Sequence, residues 1–490
     1  MPTLSSYLSR VRSAVCRHSS SLGSPKTNRT GQKTTLVMGN PSADLDSFIS
    51  AVVFSYFYNL KAQQNSARTT TPTYIPILNL PTVRSSELWR LRPEYGVALR
   101  LALGEDARTI RKQDAGEQGK TSVLGEVLTI ADVLDDRRST LHSVFAPSPP
   151  ESNGDEQSKL EQGKKQDIIL VDHNAPALAL PGVDERTIET RLNVVGCIDH
   201  HVDEGYVSAD AEPRIITTGI GSCTSLVVKH LRDQGMWPST TASETTGEDD
   251  GGEGIRQIAR LALAPVLIDT SNLRASGDKC SDVDREVVKF LEGIVASSKT
   301  TGDTPVATTG AASTENGNEA RWNRDAFHQV IGSAKANSLD LLSMQEVFDR
   351  DYKVWTEAGK QGQVNVGISS LVKPLSWLIG HAGSIEKFLD EVDRFADERK
   401  LGVFSMLTRA AEGKEVVVLV DESVDGVIEK FEDVGGELKL KQWKSDKELM
   451  QALDETLAKR KGSWKIWWMG DTSKSRKQVG PLLREAVKTI

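Results

Sequence analysis

Three short stretches hold the residues best suited to chemistry: Gly39-Asn40-Pro41-Ser42-Ala43-Asp44-Leu45-Asp46-Ser47, Asp172-His173-Asn174 and Asp199-His200-His201. Each follows an apolar run rich in β-branched residues (Thr35 to Met38, Ile168 to Val171, Val194 to Ile198), the pattern of a strand running into a loop. Open α/β sheets keep their sites at such strand ends. Carboxylates and imidazoles delivered from separate strand ends suit divalent cations, because hard oxygen donors and borderline nitrogen donors together hold Mn²⁺ or Mg²⁺. The expected chemistry is metal-assisted.

Each residue also has a plainer reading. Asp44 and Asp46 are one residue apart, so in a loop each carboxylate could face a different cation, but the same residues could form an Asx-rich turn capping a helix that starts near Ser47. Asn40 could supply a neutral oxygen or orient a neighbour. Asp172 could be a helix cap. A single histidine is usually a satisfied core residue, yet the tandem His200-His201 beside Asp199 fits a nitrogen ligand better. Gly219-Ile-Gly-Ser-Cys-Thr-Ser-Leu places glycines and hydroxyls just before a helix, where backbone N–H groups could meet an anion. The apolar run Leu261 to Ile268 ends in Asp269-Thr270-Ser271-Asn272, a fourth acidic loop. Four such loops suggest a two-metal centre, since bridging carboxylates are needed to hold two cations roughly 3.5–4 Å apart.

The elements that must position these residues follow from the apolar pattern. A strand at Thr35 to Met38, a helix from Ser47 through Phe54 to Leu60, a strand around Tyr74 to Asn79 and strands at Ile168 to Val171 and Val194 to Ile198 predict an α/β domain with a mainly parallel sheet and helices on both faces. A smaller mixed α/β domain follows, with a helix over Leu341 to Asp351, strands at Val364 to Ser369, Glu415 to Val420 and Lys465 to Met469, a helix over Ser445 to Lys459, and a basic loop before a closing helix from Pro481. The expected boundaries are a disordered basic tail over 1–33, a metal-binding domain over 34–296, a linker over 297–335 and a second domain over 336–490. Polar segments near 148–166 and 239–254 read as insertions within the first domain.

At 490 residues the chain exceeds one comfortable core, and 38% hydrophobic with 26% charged residues fits a globular protein. No apolar run approaches the roughly 20 residues of a membrane span. A net charge of -8 argues against broad nucleic-acid binding, although a local basic pocket could still hold a polyanion. Cys16, Cys197, Cys223 and Cys280 lack disulfide or zinc spacing and point to a reducing compartment. The expectation is a cytoplasmic monomer. The first 43 residues, basic, serine-rich and without an acid, also fit a mitochondrial transit peptide, which keeps the matrix as an alternative.

Together, GN-x-x-ADLDS, VDHN, IDHH, GSCTS and LIDTSN resemble the signature motifs of the DHH phosphoesterase superfamily. Asp351-Tyr-Lys-Val-Trp355, Val366-Gly-Ile-Ser-Ser370 and Ser475-Arg-Lys-Gln-Val479 resemble the DHHA2 domain of its second subfamily, within which the chain is most similar to fungal exopolyphosphatases. The resemblance implies an active site in a cleft between the two domains, with two divalent ions, Mn²⁺ or Mg²⁺ and Co²⁺ as a further candidate. It implies Asp44 on one ion and Asp46 on the other, Asp172 and Asp269 bridging or touching both, His200 as a ligand and His201 facing the substrate phosphate. Asn40 stands where family II pyrophosphatases have a histidine, which weakens a nitrogen ligand at the first ion. Lys353, Arg476 and Lys477 match the family's phosphate-binding cations, and Lys279 lies in a segment, Ser276 to Asp284, similar to a family loop near the site.

These matches lead to hydrolysis of the terminal phosphoanhydride of inorganic polyphosphate, with orthophosphate as product and a cation-activated water as nucleophile. Manganese-dependent inorganic pyrophosphatase and a prune-like phosphodiesterase or short-chain polyphosphatase are the enzymatic alternatives. A non-catalytic scaffold on the same fold is the alternative of another class.

Overall fold

Short, β-branched segments with no exposed face build the first sheet. Thr35–Met38 (β1), Tyr74–Ile77 (β2), Gln166–Val171 (β3), Leu192–Asp199 (β4) and Arg214–Ile216 (β5) pair in parallel in the order β2-β1-β3-β4-β5. Leu36, Val37, Met38, Ile168, Leu170 and Val171 are all fully buried, as expected of parallel strands covered on both faces. The chain leaves β1 towards β2 on one side and returns to β3 on the other, so the loops after β1 and β3 meet where strand order reverses.

The computed structural model describes residues 1–16, 34–65, 72–110, 123–147, 165–178, 180, 190–238, 250–296, 322–337, 339, 342–360 and 362–490. The chain forms two compact units, Met1–Lys335 and Ala336–Ile490. Most of the two polar segments near 148–166 and 239–254, and residues 297–321 of the expected linker, lie outside the described residues. Their described edges belong to regular structure: Gln166 opens β3, and 250–254 begin a helix.

The N-terminus departs from its expected disorder. Leu4–Val15 forms a helix (α1) capped by Thr3, and Leu4, Tyr7, Leu8, Val11 and Val15 are buried in the first unit's core. Those positions repeat at helical spacing, so one face is apolar even though the segment is basic overall. Polar contacts fix the seat: Leu4 N–H donates to Gln257 Oε1 (2.9 Å), Tyr7 donates to Ser55 Oγ (2.8 Å), Tyr56 donates to the Pro2 carbonyl (2.7 Å), and Arg12 donates to the Val127 carbonyl and Asp132. The remainder of the expected tail, 17–33, lies outside the described residues.

Four further helices frame the sheet and its loops: Leu45–Asn65 (α2), Pro93–Ala102 (α3), Cys223–Asp233 (α4) and Asp250–Asp269 (α5). The apolar run before Asp269, expected to lead into an acidic loop, is the end of a helix, and Asp269 is that helix's last residue. Asp282–Ala296 (α6) follows. Arg324–Asn337 (α7), expected as linker, packs Phe327, Val330 and Ile331 onto the first unit's core.

The second unit has a mixed sheet in the order β10-β11-β9-β8-β7-β6, made of Tyr352–Gly359 (β6), Gly362–Ser370 (β7), Leu401–Arg409 (β8), Lys414–Val420 (β9), Lys441–Gln442 (β10) and Ser463–Met469 (β11). Only β7 and β8 pair in parallel. The closing helix is Arg476–Thr489 (α8), longer at its start than the sequence suggested. Ser475 and Gln478 form a capping box there, and Pro481 is accommodated inside the helix. Arg476 and Lys477 therefore ride on a helical first turn rather than a loop. No helix among the described residues is long and apolar enough to cross a membrane.

Candidate metal centre

The loop after β1 is built tightly. A Cβ on Gly39 would fall 2.4 Å from Ser47 Cβ, so only glycine lets the start of α2 fold back over the strand end. Ala43 has a φ of 41°, a left-handed conformation that costs energy for alanine and is held from outside. Arg92 Nη2 donates to the Ser42 carbonyl (2.8 Å), and the buried Tyr95 hydroxyl donates to the Ala43 and Asp44 carbonyls. Arg92 and Tyr95 belong to no recognisable sequence motif, and the sequence reading did not single them out.

Within this loop the plain and functional readings of Asp44 coexist. Its Oδ1 accepts the Ser47 N–H (3.0 Å), which makes it the cap of α2. Asn40 takes the orienting role. Its amide nitrogen donates to Asp172 Oδ2 (2.8 Å), while its oxygen accepts from the Ser42 N–H and hydroxyl. Asn40, expected among the cation ligands, thus ties Asp172 to the Ser42 turn.

Asp172, at the end of β3, is buried and left-handed with a φ of 60°, a conformation aspartate tolerates better than most residues. Its Oδ2 accepts from Asn40 and from Ser47 Oγ (2.7 Å), and its Oδ1 lies 3.1 Å from His200 Nε2. His200 donates Nδ1–H to the Ile220 carbonyl (3.0 Å), so in the neutral ring the Nε2 lone pair faces the Asp172 carboxylate. Two acceptors so close require a positive charge, either a ring proton or a cation. His201 donates Nδ1–H to Asp199 Oδ1 (2.7 Å), which sets its tautomer and makes Nε2 the nitrogen able to meet a substrate.

Asp199 is the positioning acid that the sequence reading left in its motif without a role. It is fully buried and also accepts from the His200 N–H (2.8 Å) and Asn174 Nδ2 (2.6 Å). Burial alone would push its carboxyl up, but the bond and charge of His201 prevail and hold it at about 2.

Asp46 corrects a further expectation. The turn before α4 does present N–H groups to an anion, but the anions are the protein's own carboxylates. Asp46 accepts from Ser222 Oγ (2.9 Å), Cys223 N (2.6 Å), Thr224 N (2.9 Å) and Thr224 Oγ1 (2.7 Å). Asp284 accepts from Gly221 N (2.9 Å) and Ser222 N (3.3 Å). Helix N-termini leave such donors over, and a carboxylate suits their partial positive charge.

One ligand atom each from Asp172, His200 and His201 lies within 4.8 Å of the others, a grouping able to hold an ion. The remaining acids lie within electrostatic reach. Burial, then the Asp172 charge, pushes the Asp46 carboxyl up, against His200 and the bonds from Thr224. Burial, then Asp46, raises Asp269 well above the usual range, with Asp44 and Asp172 adding to it and the Lys335 ammonium opposing. Carboxylates that raise one another's proton affinity, beside an imidazole nitrogen facing a carboxylate, form a donor set suited to divalent cations. Lys335, on α7, is a further residue the sequence reading missed, because it fell in the expected linker.

The other expected residues are in the second unit. Arg476 Nη1 donates to the Asp351 carbonyl (2.7 Å) and Oδ1 (2.8 Å), which fixes the guanidinium at the start of β6. Lys353 stands two residues further along β6, and Lys477 is exposed on the first turn of α8. Lys279, in the first unit, has its carbonyl against Gly221.

Residues 34–264 match the model of the DHH family N-terminal domain, and residues 331–486 match the DHHA2 domain model. A Schizosaccharomyces pombe protein named "Putative exopolyphosphatase" is 26% identical over 462 residues, covering 93% of this chain and 91% of its own length. A solved structure of a Methanococcus jannaschii putative family II inorganic pyrophosphatase shares 17% identity at a TM-score of 0.45, over 92% of this chain and 98% of its own. An exopolyphosphatase-related protein from Bacteroides fragilis shares 12% identity at a TM-score of 0.31, over 87% of this chain and 92% of its own.

Proposed function

This chain belongs to the DHH family and carries a DHHA2 domain, and from that premise we propose that it is an exopolyphosphatase, releasing orthophosphate from the end of inorganic polyphosphate. The observation that carries the reading is the meeting of Asp172 with His200 and His201 at the ends of β3 and β4. The name of the S. pombe relative supports the substrate.

Asp44, Asp46, Asp172, His200 and Asp269 are the residues that would hold two divalent cations, Mn²⁺ or Mg²⁺ with Co²⁺ as a further candidate. Such ions, when bound, lower the pKa of water towards neutrality and take up charge on phosphoryl oxygens. The protein's own groups do the remaining work. Asp199 keeps the His201 proton on Nδ1 of the neutral ring, so the proton that His201 would donate to a phosphoryl oxygen is the second one, on Nε2 of the charged ring. Asn40 and Ser47 fix Asp172 Oδ2 by hydrogen bonds and leave Oδ1 turned to His200. Lys353, Arg476 and Lys477 supply the cationic charge that phosphoryl transfer needs as negative charge spreads over the oxygens. Arg476 does so from a guanidinium already oriented by Asp351, which lowers the entropy lost on binding.

Phosphate release from pyrophosphate, tripolyphosphate and long polyphosphate, each with Mg²⁺, Mn²⁺ or Co²⁺, tests the reading. The expected result is preferential release from long polyphosphate. A strong preference for pyrophosphate would overturn the substrate assignment, and no release from any of them would favour the scaffold.

A further inference from the structure

We propose that Asp284 is a positioning residue for the cation centre, acting through the turn over residues 219–225; the proposal rests on the reading of Asp46 and His200 as cation ligands. Asp284 sits in the first turn of α6, is fully buried and ends the segment that resembles a family loop near the site, without an expected role of its own. It accepts five hydrogen bonds. Gly221 N (2.9 Å), Ser222 N (3.3 Å) and Ser225 Oγ (2.6 Å) come from the turn, and Ser281 N and Oγ (both 2.7 Å) hold the carboxylate in place from its own side.

The same turn reaches two candidate ligands that come from different elements. The Ile220 carbonyl accepts Nδ1–H of His200, at the end of β4, which leaves Nε2 as the coordinating nitrogen. Ser222, Cys223 and Thr224 hold Asp46, at the start of α2. A shift of the turn would therefore move a nitrogen donor and a carboxylate together.

Packing leaves the turn little slack. A Cβ on Gly221 would lie 2.5 Å from the Lys279 carbonyl oxygen, 2.6 Å from Thr270 Cγ2 and 3.0 Å from Asp284 Oδ2. Thr270 directly follows Asp269, so the turn also abuts the end of α5 that carries another candidate ligand. Asp284 is the anion that closes the far side of this arrangement, where its charge-assisted bonds to backbone N–H groups are stronger than neutral ones.

The test uses the full chain and Mn²⁺ alone, titrated by calorimetry without substrate. Asp284→Asn keeps the side-chain shape but replaces an acceptor with a donor, and is expected to weaken Mn²⁺ binding about 10–100-fold, the range typical of groups that orient metal ligands. Phosphate release should fall at limiting Mn²⁺ and recover to within a few-fold at saturating Mn²⁺. Ser225→Ala removes one bond and keeps the charge, and is expected to weaken Mn²⁺ binding a few-fold; it carries the test if the asparagine variant does not fold. Lower thermal stability with Mn²⁺ affinity equal to the wild type, measured where both proteins are folded, would reduce Asp284 to a structural residue. Wild-type protein that binds no Mn²⁺ would instead sink the cation reading, and this proposal with it.

Discussion

Glu357 in the second unit and the pair Asp46 and Asp269 in the first are buried acids with opposite fates. In the second unit Glu357 is buried, yet Arg484 and Lys488 bond to it, and although burial works against ionisation these two cations hold its carboxyl below the ordinary range. In the first unit Asp46 and Asp269 are pushed above that range by burial and by neighbouring carboxylates, with His200 and Lys335 offsetting only part of the effect. The difference separates structure from function. An acid neutralised by the protein's own cations ties elements together, whereas acids gathered against one another are stable as anions only when cations come from solution.

The comparison breaks most visibly at Asp172. Asp172→Ala removes the oxygen shared with His200 and is expected to lower phosphate release by about 100-fold or more, beyond the range seen for groups that only orient ligands; a steady-state assay at saturating cation checks it. Leu8→Ala probes a region with no such chemistry. It should cost about 2–5 kcal/mol in denaturant unfolding, because it empties a buried position on α1. Asp199→Asn should lower activity about 10–100-fold with little change in fold, since it disturbs the His201 tautomer rather than a ligand.

That α1 belongs to the core was legible in its spacing and was obscured by its charge. Leu4, Tyr7, Leu8, Val11 and Val15 repeat as one helical face, but Arg10, Arg12 and the serines made composition point to a tail. β1 to β4 were readable because parallel strands are apolar on both faces, and the ends of β1, β3 and β4 carry the acids and histidines, whereas the three-residue β5 was too short to stand out. The helix ending in Asp269 was less readable, since a short buried apolar run looks alike in either state. Arg92, Tyr95 and Lys335 could not be found this way, because each acts through contacts between residues far apart in the chain, and Asp284 lay in the segment resembling a family loop without a role of its own.

The smallest effects sharpen the contrast in stability and protons. Without added cation, Asp269→Asn should raise the melting temperature by relieving repulsion, while Glu357→Gln should lower stability by about 1–3 kcal/mol, a buried-pair loss discounted because Arg484 and Lys488 are partly exposed. The pH dependence has a definite sign. With folded-state values raised, Asp46 and Asp269 bind more protons in the folded than in the unfolded chain, so their contribution is greatest at low pH and is lost as pH rises through the raised values. At a pH below the raised values cation binding must then release protons, which calorimetry in buffers of different ionisation enthalpy would register.

The most direct measurement is the Mn²⁺ stoichiometry of the purified full chain beside that of Asp172→Ala. Two ions per chain in the wild type, with binding lost or cut to one weak ion in the variant, is the predicted result. Equal stoichiometry and affinity in the two proteins would contradict a centre organised around Asp172.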